Sequence, residues 1–252
     1  MAVNAGQDGA RWMAVNHVLL KEFHHEKKTP YFLDYAARFT DSTHLVELVK
    51  NEDGTYEAGQ LVRAGRLKAY AGVENGEWKF LMWDEVSNAP KMPMGSMGFR
   101  WGKEKGKWNL LLKDGLDGSG INPRLTFLES REAVASVRFD DFGAGASIHR
   151  EVPVQFLEIA DGRKIAVTTG YDLLMAQYGV GRGLGGQYPK DYGDENAPYT
   201  PAWSEKYTGL SRDTLIKFAR EWAVTAELTG GKCTIIIGAG IIGLSIAKVL
   251  KE

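Results

Sequence analysis

Between residues 51 and about 168 a turn signal recurs every ten to fifteen residues. The signals are Asn51-Glu-Asp-Gly54, Glu74-Asn-Gly76, Gly102-Lys-Glu-Lys-Gly106, the run Asp114 to Gly120, Asp140-Asp-Phe-Gly143 and Asp161-Gly162. Spacing of this kind leaves no room for long helices and favours short antiparallel strands joined by tight turns. The pieces between the turns have strand composition: 78–83, 96–101, 107–112, 134–139, 152–159 and 164–169. Several alternate apolar and polar residues, as half-buried strands do. We therefore expect a β-rich insertion over 51–168.

The flanks have a different period. Trp12, Val15, Leu19 and Phe23 recur at helical spacing, which predicts a helix over 10–24. His17 lies off that stripe and is expected to be partly buried with a satisfied hydrogen bond. Asp8 is positioned to cap this helix. Adjacent histidines on a helix point about 100° apart, so His24 and His25 make a poor metal pair. Pro30 stops the helix, and short elements are expected at 31–39 (helix) and 45–49 (strand). After residue 169 helix returns at 171–178, followed by an irregular loop over 181–201. Ser211 is placed to cap a helix whose apolar stripe runs Leu215, Phe218, Ala219, Trp222, Ala223 and Ala226, with Gly230-Gly231 at its end. The chain then runs Cys233-Thr-Ile-Ile-Ile-Gly238-Ala-Gly240-Ile-Ile-Gly243. That order of buried strand, Gly-x-Gly-x-x-Gly and helix suits a backbone that approaches a dinucleotide pyrophosphate.

Composition excludes several classes. The net charge is -1, which argues against a general basic face for nucleic acid or anionic membrane. The single cysteine, Cys233, permits no internal disulfide and no thiolate-based zinc or iron–sulfur site. No apolar run reaches the ~20 residues of a membrane span, and no signal peptide is visible. Asp114 to Gly120 has the look of a calcium loop but lacks the alternate oxygens and the late glutamate, so it reads as a tight turn. The tryptophans and tyrosines read as core rather than base-stacking platforms, because no basic groove accompanies them.

A series of segments carries a resemblance: Asn16-His-Val-Leu-Leu-Lys-Glu-Phe-His24, Ala71-Gly-Val-Glu-Asn-Gly-Glu-Trp-Lys79, Gly95-Ser-Met-Gly-Phe-Arg-Trp101 with Gly106-Lys-Trp-Asn109, Tyr171-Asp-Leu-Leu-Met-Ala-Gln177, Pro198-Tyr-Thr-Pro-Ala-Trp203, Ile216 to Ala223 and Gly231 to Ile241. From about residue 4 to 241 the chain resembles the nitrate-reducing catalytic alpha subunits of the dimethyl-sulfoxide-reductase family of molybdenum oxidoreductases. Nitrite oxidoreductases of that family are an open alternative.

The resemblance implies an α/β fold, part of a doubly wound domain that binds molybdopterin guanine dinucleotide. Segments 1–50 and 169–252 would belong to that domain, and 51–168 would be inserted. It also implies that Gly6, Gln7 and Asp8 lie against one guanine dinucleotide. The relatives' loop there is Pro-Gly-Thr-Asp-like, so Gly6 and Asp8 match it while Ala5 and Gln7 do not. Gly238, Ala239 and Gly240 would contact the cofactor at the second segment, and His17 would sit near the molybdenum, hydrogen bonding or placing charge beside a bound oxyanion rather than ligating metal. The family's molybdenum ligand and [4Fe–4S] ligands lie upstream of the match, so no metal ligand is expected here and the polypeptide alone is expected to be inactive. An iron–sulfur beta subunit, a membrane haem subunit and a peripheral place on the cytoplasmic face of the bacterial membrane follow by the same resemblance. After Ile241 the tail to Leu250 is instead similar to the start of flavin-dependent amino-acid oxidases, as a truncated or recombined end would be. Two other readings stand beside this one: a free-standing flavin- or nicotinamide-binding protein that uses the terminal glycines, and a non-catalytic binding module.

Overall fold

The computed structural model describes residues 2–94, 111–141 and 146–233. They form a mixed α/β structure in which a closed five-stranded barrel is flanked by a layer of helices. The expected strands at 96–101 and most of 107–112, the turns at 102–106 and 142–143, and the terminal glycine motif with Gly238, Ala239, Gly240 and Gly243 lie outside the described residues.

The barrel is built from β1 (Leu45–Lys50), β2 (Tyr56–Leu61), β7 (Ala133–Asp140), β8 (Ser147–Glu158) and β9 (Lys164–Thr169), in that order around the wall. Two short ribbons lie between β2 and β7 in the chain: β3 (Met82–Asp84) with β4 (Ala89–Lys91), and β5 (Pro93–Met94) with β6 (Leu111–Asp114). Neighbouring barrel strands are antiparallel except β2 and β7, which run parallel and meet at Tyr56 and Val137. Closure joins the first strand to the last: Leu45 pairs with Thr169 and Leu48 with Ala166.

Strand burial follows the sequence pattern. In β7, Ala135, Val137 and Phe139 face inward while Val134, Arg138 and Asp140 are exposed, the alternation that a wall with one wet face requires. In β9 every residue from Ile165 to Thr169 is buried, because Ile165 and Val167 join one apolar cluster and Ala166 another. The first cluster gathers Leu45, Leu81, Trp83 and Phe127, with Trp83 and Phe127 edge to face at 5.4 Å. Trp83 is therefore core, as expected. Trp78 departs from expectation: it stands 69% exposed in a turn, and the strand begins only at Met82. The 114–120 turn is held by its own acid. The Asp114 carboxylate accepts from the Tyr70 hydroxyl at 3.1 Å and from the Leu116 amide at 3.3 Å, which leaves it engaged within the protein.

The helical layer contains α1 (Asp8–Val18), a π-helical continuation over Leu19–Glu26, α2 (Pro30–Phe39), α3 (Gly170–Gln177), α4 (Pro201–Thr208) and α5 (Arg212–Thr229). Pro30 ends one helix, as read from sequence, and also opens the next at a first-turn position, where its missing N–H costs nothing. Asp8 does not cap α1; Gln7 is at that position with no side-chain cap bond, and Asp8 lies in the first turn, where its charge suits the helix dipole. Ser211 does cap α5, accepting from the Thr214 amide at 3.3 Å, and Gly230 ends that helix with φ +61°. Sequence reading missed α4, although Thr200-Pro201 is a cap followed by a first-turn proline: Thr200 accepts from the Trp203 amide at 3.1 Å. Trp12 packs edge to face on Trp222 at 5.3 Å and on Phe218 at 6.0 Å, which ties α1 to α5.

One residue joins the two halves. Thr169 ends β9 and caps α3, accepting from the Asp172 amide at 3.0 Å. Its side chain also lies 3.0 Å from Asp172 Oδ2.

Candidate functional site

His17 sits near the end of α1, and the wide turns of the π-helical segment place Lys21, His25 and Glu26 beside it. The facing wall is the loop that leaves α3, Gly179 to Gly183, with Pro189, Lys190 and Asp191 completing a cleft of about 200 Å³. His17 is 1% exposed, more deeply buried than the sequence suggested. Its Nδ1 lies 2.5 Å from the Tyr178 carbonyl, and Tyr192 packs edge-on at 5.6 Å. A carbonyl only accepts, so Nδ1 carries the hydrogen. Burial lowers the imidazole pKa to about 4, so the ring is neutral at pH 7 and Nε2 carries a lone pair. In this state His17 brings an acceptor and no charge to the cleft. His25, on its rim, is also held below the ordinary histidine range, first by burial and then by the charge of Arg182.

Arg182 stands between Gly181 and Gly183 with φ +51°, a left-handed conformation that a side chain rarely takes. It lines the His17 cleft and also a second one of about 430 Å³, bordered by His24, His25, Thr126, Glu129, Tyr171 and Met175. Arg182 Nη1 donates to Asp172 Oδ1 at 2.7 Å, and the two side chains are 2% and 0% exposed. Asp172 accepts in addition from the Thr126 hydroxyl at 2.5 Å and from the Phe127 amide at 2.9 Å. These donors engage both oxygens of the buried carboxylate. Arg182 Nε and Nη2 are buried with no hydrogen-bond partner among the described residues.

A second buried guanidinium approaches the same loop from β8. Arg150, fully buried, donates from Nε to the Gln187 carbonyl at 2.8 Å and from Nη1 to the carbonyls of Ala176 and Gln177 at 2.6 and 3.0 Å. Those last two carbonyls end α3, where a cation meets the negative end of the helix dipole. No carboxylate pairs with Arg150 among the described residues, and burial lowers its pKa. Gly179 fits tightly beside it: a Cβ there would lie 3.0 Å from Pro189 and 3.5 Å from Arg150 Nη2.

Gly6, Gln7 and Asp8 lie at the opposite end of α1. His17 follows Asp8 by nine helical positions, about 14 Å along the axis, so the structure does not bring them together. Gly6 has φ +77° with open space around it, Asp8 is exposed, and neither the Gln7 nor the Asp8 side chain makes a hydrogen bond or ion pair within the described residues. Among the described residues nothing packs against Gly6 or engages the Asp8 side chain. Among the described residues no group of three histidine, cysteine or acidic side chains could hold a metal, and no helix is long and apolar enough to cross a membrane.

Sequence reasoning missed Arg150, Asp172 and Arg182. Thr169-x-x-Asp172 at a strand-to-helix junction was a usable signal, since it has capping-box spacing. A lone arginine between two glycines was another. Arg150 gave none; it lies in a strand whose partners come from three separate parts of the chain.

No protein-family model matches the chain. Curated relatives do. The chain is 41% identical over 253 residues to the respiratory nitrate reductase 1 alpha chain of Escherichia coli K12, which covers 96% of this chain and 20% of that protein. It is 37% identical over 243 residues to the nitrate reductase alpha chain of Bacillus subtilis 168, covering 96% and 19%. It is 37% identical over 246 residues to the nitrate reductase alpha subunit of Mycobacterium tuberculosis H37Rv, covering 94% and 19%. The chain thus spans about a fifth of the length of the relatives it matches, and nearly all of it is homologous to a segment of nitrate reductase alpha subunits.

Proposed function

We propose that this chain is a cofactor-binding segment of a nitrate reductase alpha subunit, an oxidoreductase that converts nitrate to nitrite in anaerobic respiration. The observation that carries this reading is homology to such subunits over 96% of the chain. In this reading 1–50 and 169–252 are parts of a doubly wound domain that neighbouring sequence completes, and 51–168 is inserted. At residue level the barrel takes Leu45–Lys50 from the first part and closes on Thr169.

The open end of α1 fits one end of a molybdopterin guanine dinucleotide. The Asp8 carboxylate is exposed and unengaged, so it can accept from the amino and imino edge of guanine. Gly6 leaves room for the base, and the Gln7 amide offers both a donor and an acceptor. Gly238, Ala239 and Gly240 would bring backbone to the same cofactor. When bound, the molybdenum centre supplies the two-electron oxygen-transfer chemistry. The metal and [4Fe–4S] ligands come from outside this chain, so the 252-residue polypeptide alone is inactive. His17 contributes a neutral imidazole with its acceptor at Nε2, able to hold a water or a protonated oxygen in place. Partners are an iron–sulfur beta subunit and a membrane haem subunit, with the complex on the cytoplasmic face of the membrane.

A chimera tests this reading. The corresponding segment of the Escherichia coli alpha chain is replaced by residues 4–241 of this chain, and nitrate reduction by reduced viologen is followed together with cofactor content. Retained turnover is expected, and Asp8→Ala is expected to lower guanine-dinucleotide content. A chimera that loads cofactor normally yet reduces no nitrate would overturn the assignment.

A further inference from the structure

Arg150 brings a charge into the barrel wall without a counter-ion. It lies on β8, is fully buried, and meets no carboxylate among the described residues. A buried charge is a poor source of stability, and an apolar residue of similar size is often tolerated in its place. What the guanidinium binds is main chain. Nη1 donates to the carbonyls of Ala176 and Gln177 at 2.6 and 3.0 Å, and Nε donates to the carbonyl of Gln187 at 2.8 Å. These carbonyls belong to the two segments that wall the His17 cleft: the end of α3, which leads into Gly179, and the run into Pro189, Lys190 and Asp191. The second segment is pressed on β8 itself. The Glu151 amide donates to the Gly185 carbonyl at 2.9 Å and the Gln187 amide to the His149 carbonyl at 2.7 Å. A Cβ at Gly186 would lie 2.8 Å from the Arg150 Cα.

The turn after α3 then has little freedom. The Gly179 amide donates to the Ala176 carbonyl at 3.0 Å and the Val180 amide to the Met175 carbonyl at 2.8 Å, with φ +78° at Gly179. This pair of bonds closes a helix on a left-handed residue. With Arg150 on the carbonyls of Ala176 and Gln177, the next carbonyl, that of Tyr178, meets His17 Nδ1 at 2.5 Å. Asn16 of the same helix donates to the Tyr178 hydroxyl at 3.2 Å. Tyr192 packs edge-on against the imidazole at 5.6 Å, and its own hydroxyl donates to Glu22 at 2.9 Å. Tyr192 holds the plane of the ring but does not choose between its nitrogens; the Tyr178 carbonyl does. We propose that Arg150 is a positioning residue for His17: by holding the carbonyls of Ala176, Gln177 and Gln187 it fixes the turn that presents the Tyr178 carbonyl to Nδ1, and so confines the ring to the tautomer whose acceptor is Nε2. One buried side chain of the barrel thereby sets the state of a side chain in the helical layer. The inference rests on the proposed reaction only for the use to which an Nε2 acceptor is put.

The test is nitrogen-15 NMR of the imidazoles in the 252-residue chain. Unaltered His17 is expected to show one neutral tautomer, with its hydrogen on Nδ1. R150M keeps an apolar stem and removes the donors, and the share of His17 with its hydrogen on Nε2 is expected to rise roughly fivefold, as loss of a typical hydrogen bond would allow. R150K returns donors and is expected to reverse part of that rise. V152A, a buried truncation on the same strand, controls for lost stability alone and should leave the tautomer as it is. A mixture of tautomers in the unaltered chain, an unchanged His17 in folded R150M, or an equal change in V152A would overturn the proposal. Should R150M fail to fold, native-state hydrogen exchange in the unaltered chain decides. Arg150 Nε–H and His17 Nδ1–H must open in one step as denaturant is raised, and a His17 that opens well before Arg150 refutes the coupling. None of these measurements involves molybdenum or nitrate, so failure here leaves the nitrate reductase reading standing, and failure of the chimera leaves the tautomer result standing.

Discussion

The barrel and the helical layer satisfy their polar groups in opposite ways. On the barrel, charged side chains pair at the surface: Arg138 with Glu57, Arg66 with Glu47, Arg163 with Asp161, all with substantial exposure. Inside the wall the strand ladders serve the backbone, and the interior is aliphatic and aromatic. Around the loop that leaves α3, charge is buried instead. Asp172, Arg150 and Arg182 are all deeply enclosed, and Arg150, Arg182 and His24 retain buried nitrogens without partners. Surface pairs contribute little to stability, whereas buried charges are costly unless fully met. Apart from Arg150 on β8, which faces that loop, the barrel meets its charges at the surface, and the helix–loop side is where buried donors stay unmet among the described residues.

That contrast can be broken at its strongest point first. Asp172→Ala would strand Arg182 in the interior and leave Thr126 and the Phe127 amide unmet, at a cost of about 3–5 kcal/mol in denaturant unfolding. A loss below about 1 kcal/mol would show that this side is no more demanding than the barrel surface. Acid is the next probe. His17, held at about 4 when folded against about 6.5 when unfolded, favours the native state fully above pH 6.5 and loses that contribution as pH falls towards 4. The loss amounts to at most about 3 kcal/mol. His17→Gln should flatten the profile in part, and an unchanged profile would remove His17 from the account. Glu22 acts in the same direction at lower pH. Burial raises its pKa, but hydrogen bonds from Arg220 and Tyr192 outweigh that and hold it below the usual glutamate range, so its contribution is lost as pH falls through that lowered value. Ser211→Ala removes one cap from α5 and should cost about 1 kcal/mol by thermal unfolding. Smallest of all, Glu57→Gln on the barrel should cost less than about 0.5 kcal/mol, because both partners of its ion pair are more than 40% exposed. A larger effect there would erase the distinction between the two regions.

What could be read from sequence divides along the same line. The strands β7 and β9, β8 from Val152 onward, the helix caps at Ser211 and Gly230, and the core role of Trp83 follow from local pattern, and pattern revealed them; the first part of β8, Ser147 to Glu151, was not read. Closure of the barrel was not legible, because pairing Leu45 with Thr169 depends on residues more than a hundred positions apart. The π-helical widening after Val18 was hidden too, since its apolar spacing reads as ordinary helix. His17 was singled out by resemblance and is found at a cleft wall; its neutral state follows only from the depth at which Tyr178 and Tyr192 enclose it. Arg182 needed the structure, because a half-used guanidinium is visible only once the partners of its other half are known.

The pairing of β1 with β9 also governs how the chain emerges from the ribosome. Until residue 169 has cleared the exit tunnel, β1 has one partner instead of two, and the ladder that seals the wall is missing. A nascent chain stalled before that point exposes an open strand edge beside aliphatic side chains, the kind of surface that recruits chaperones or joins other unfinished chains. Thr169 is both the last residue of the closing strand and the cap of the helix that carries Asp172. Synthesis of a single short stretch therefore ends the vulnerable period and begins assembly of the buried charge site, and slow codons placed just beyond it would give the wall time to seal before that site forms.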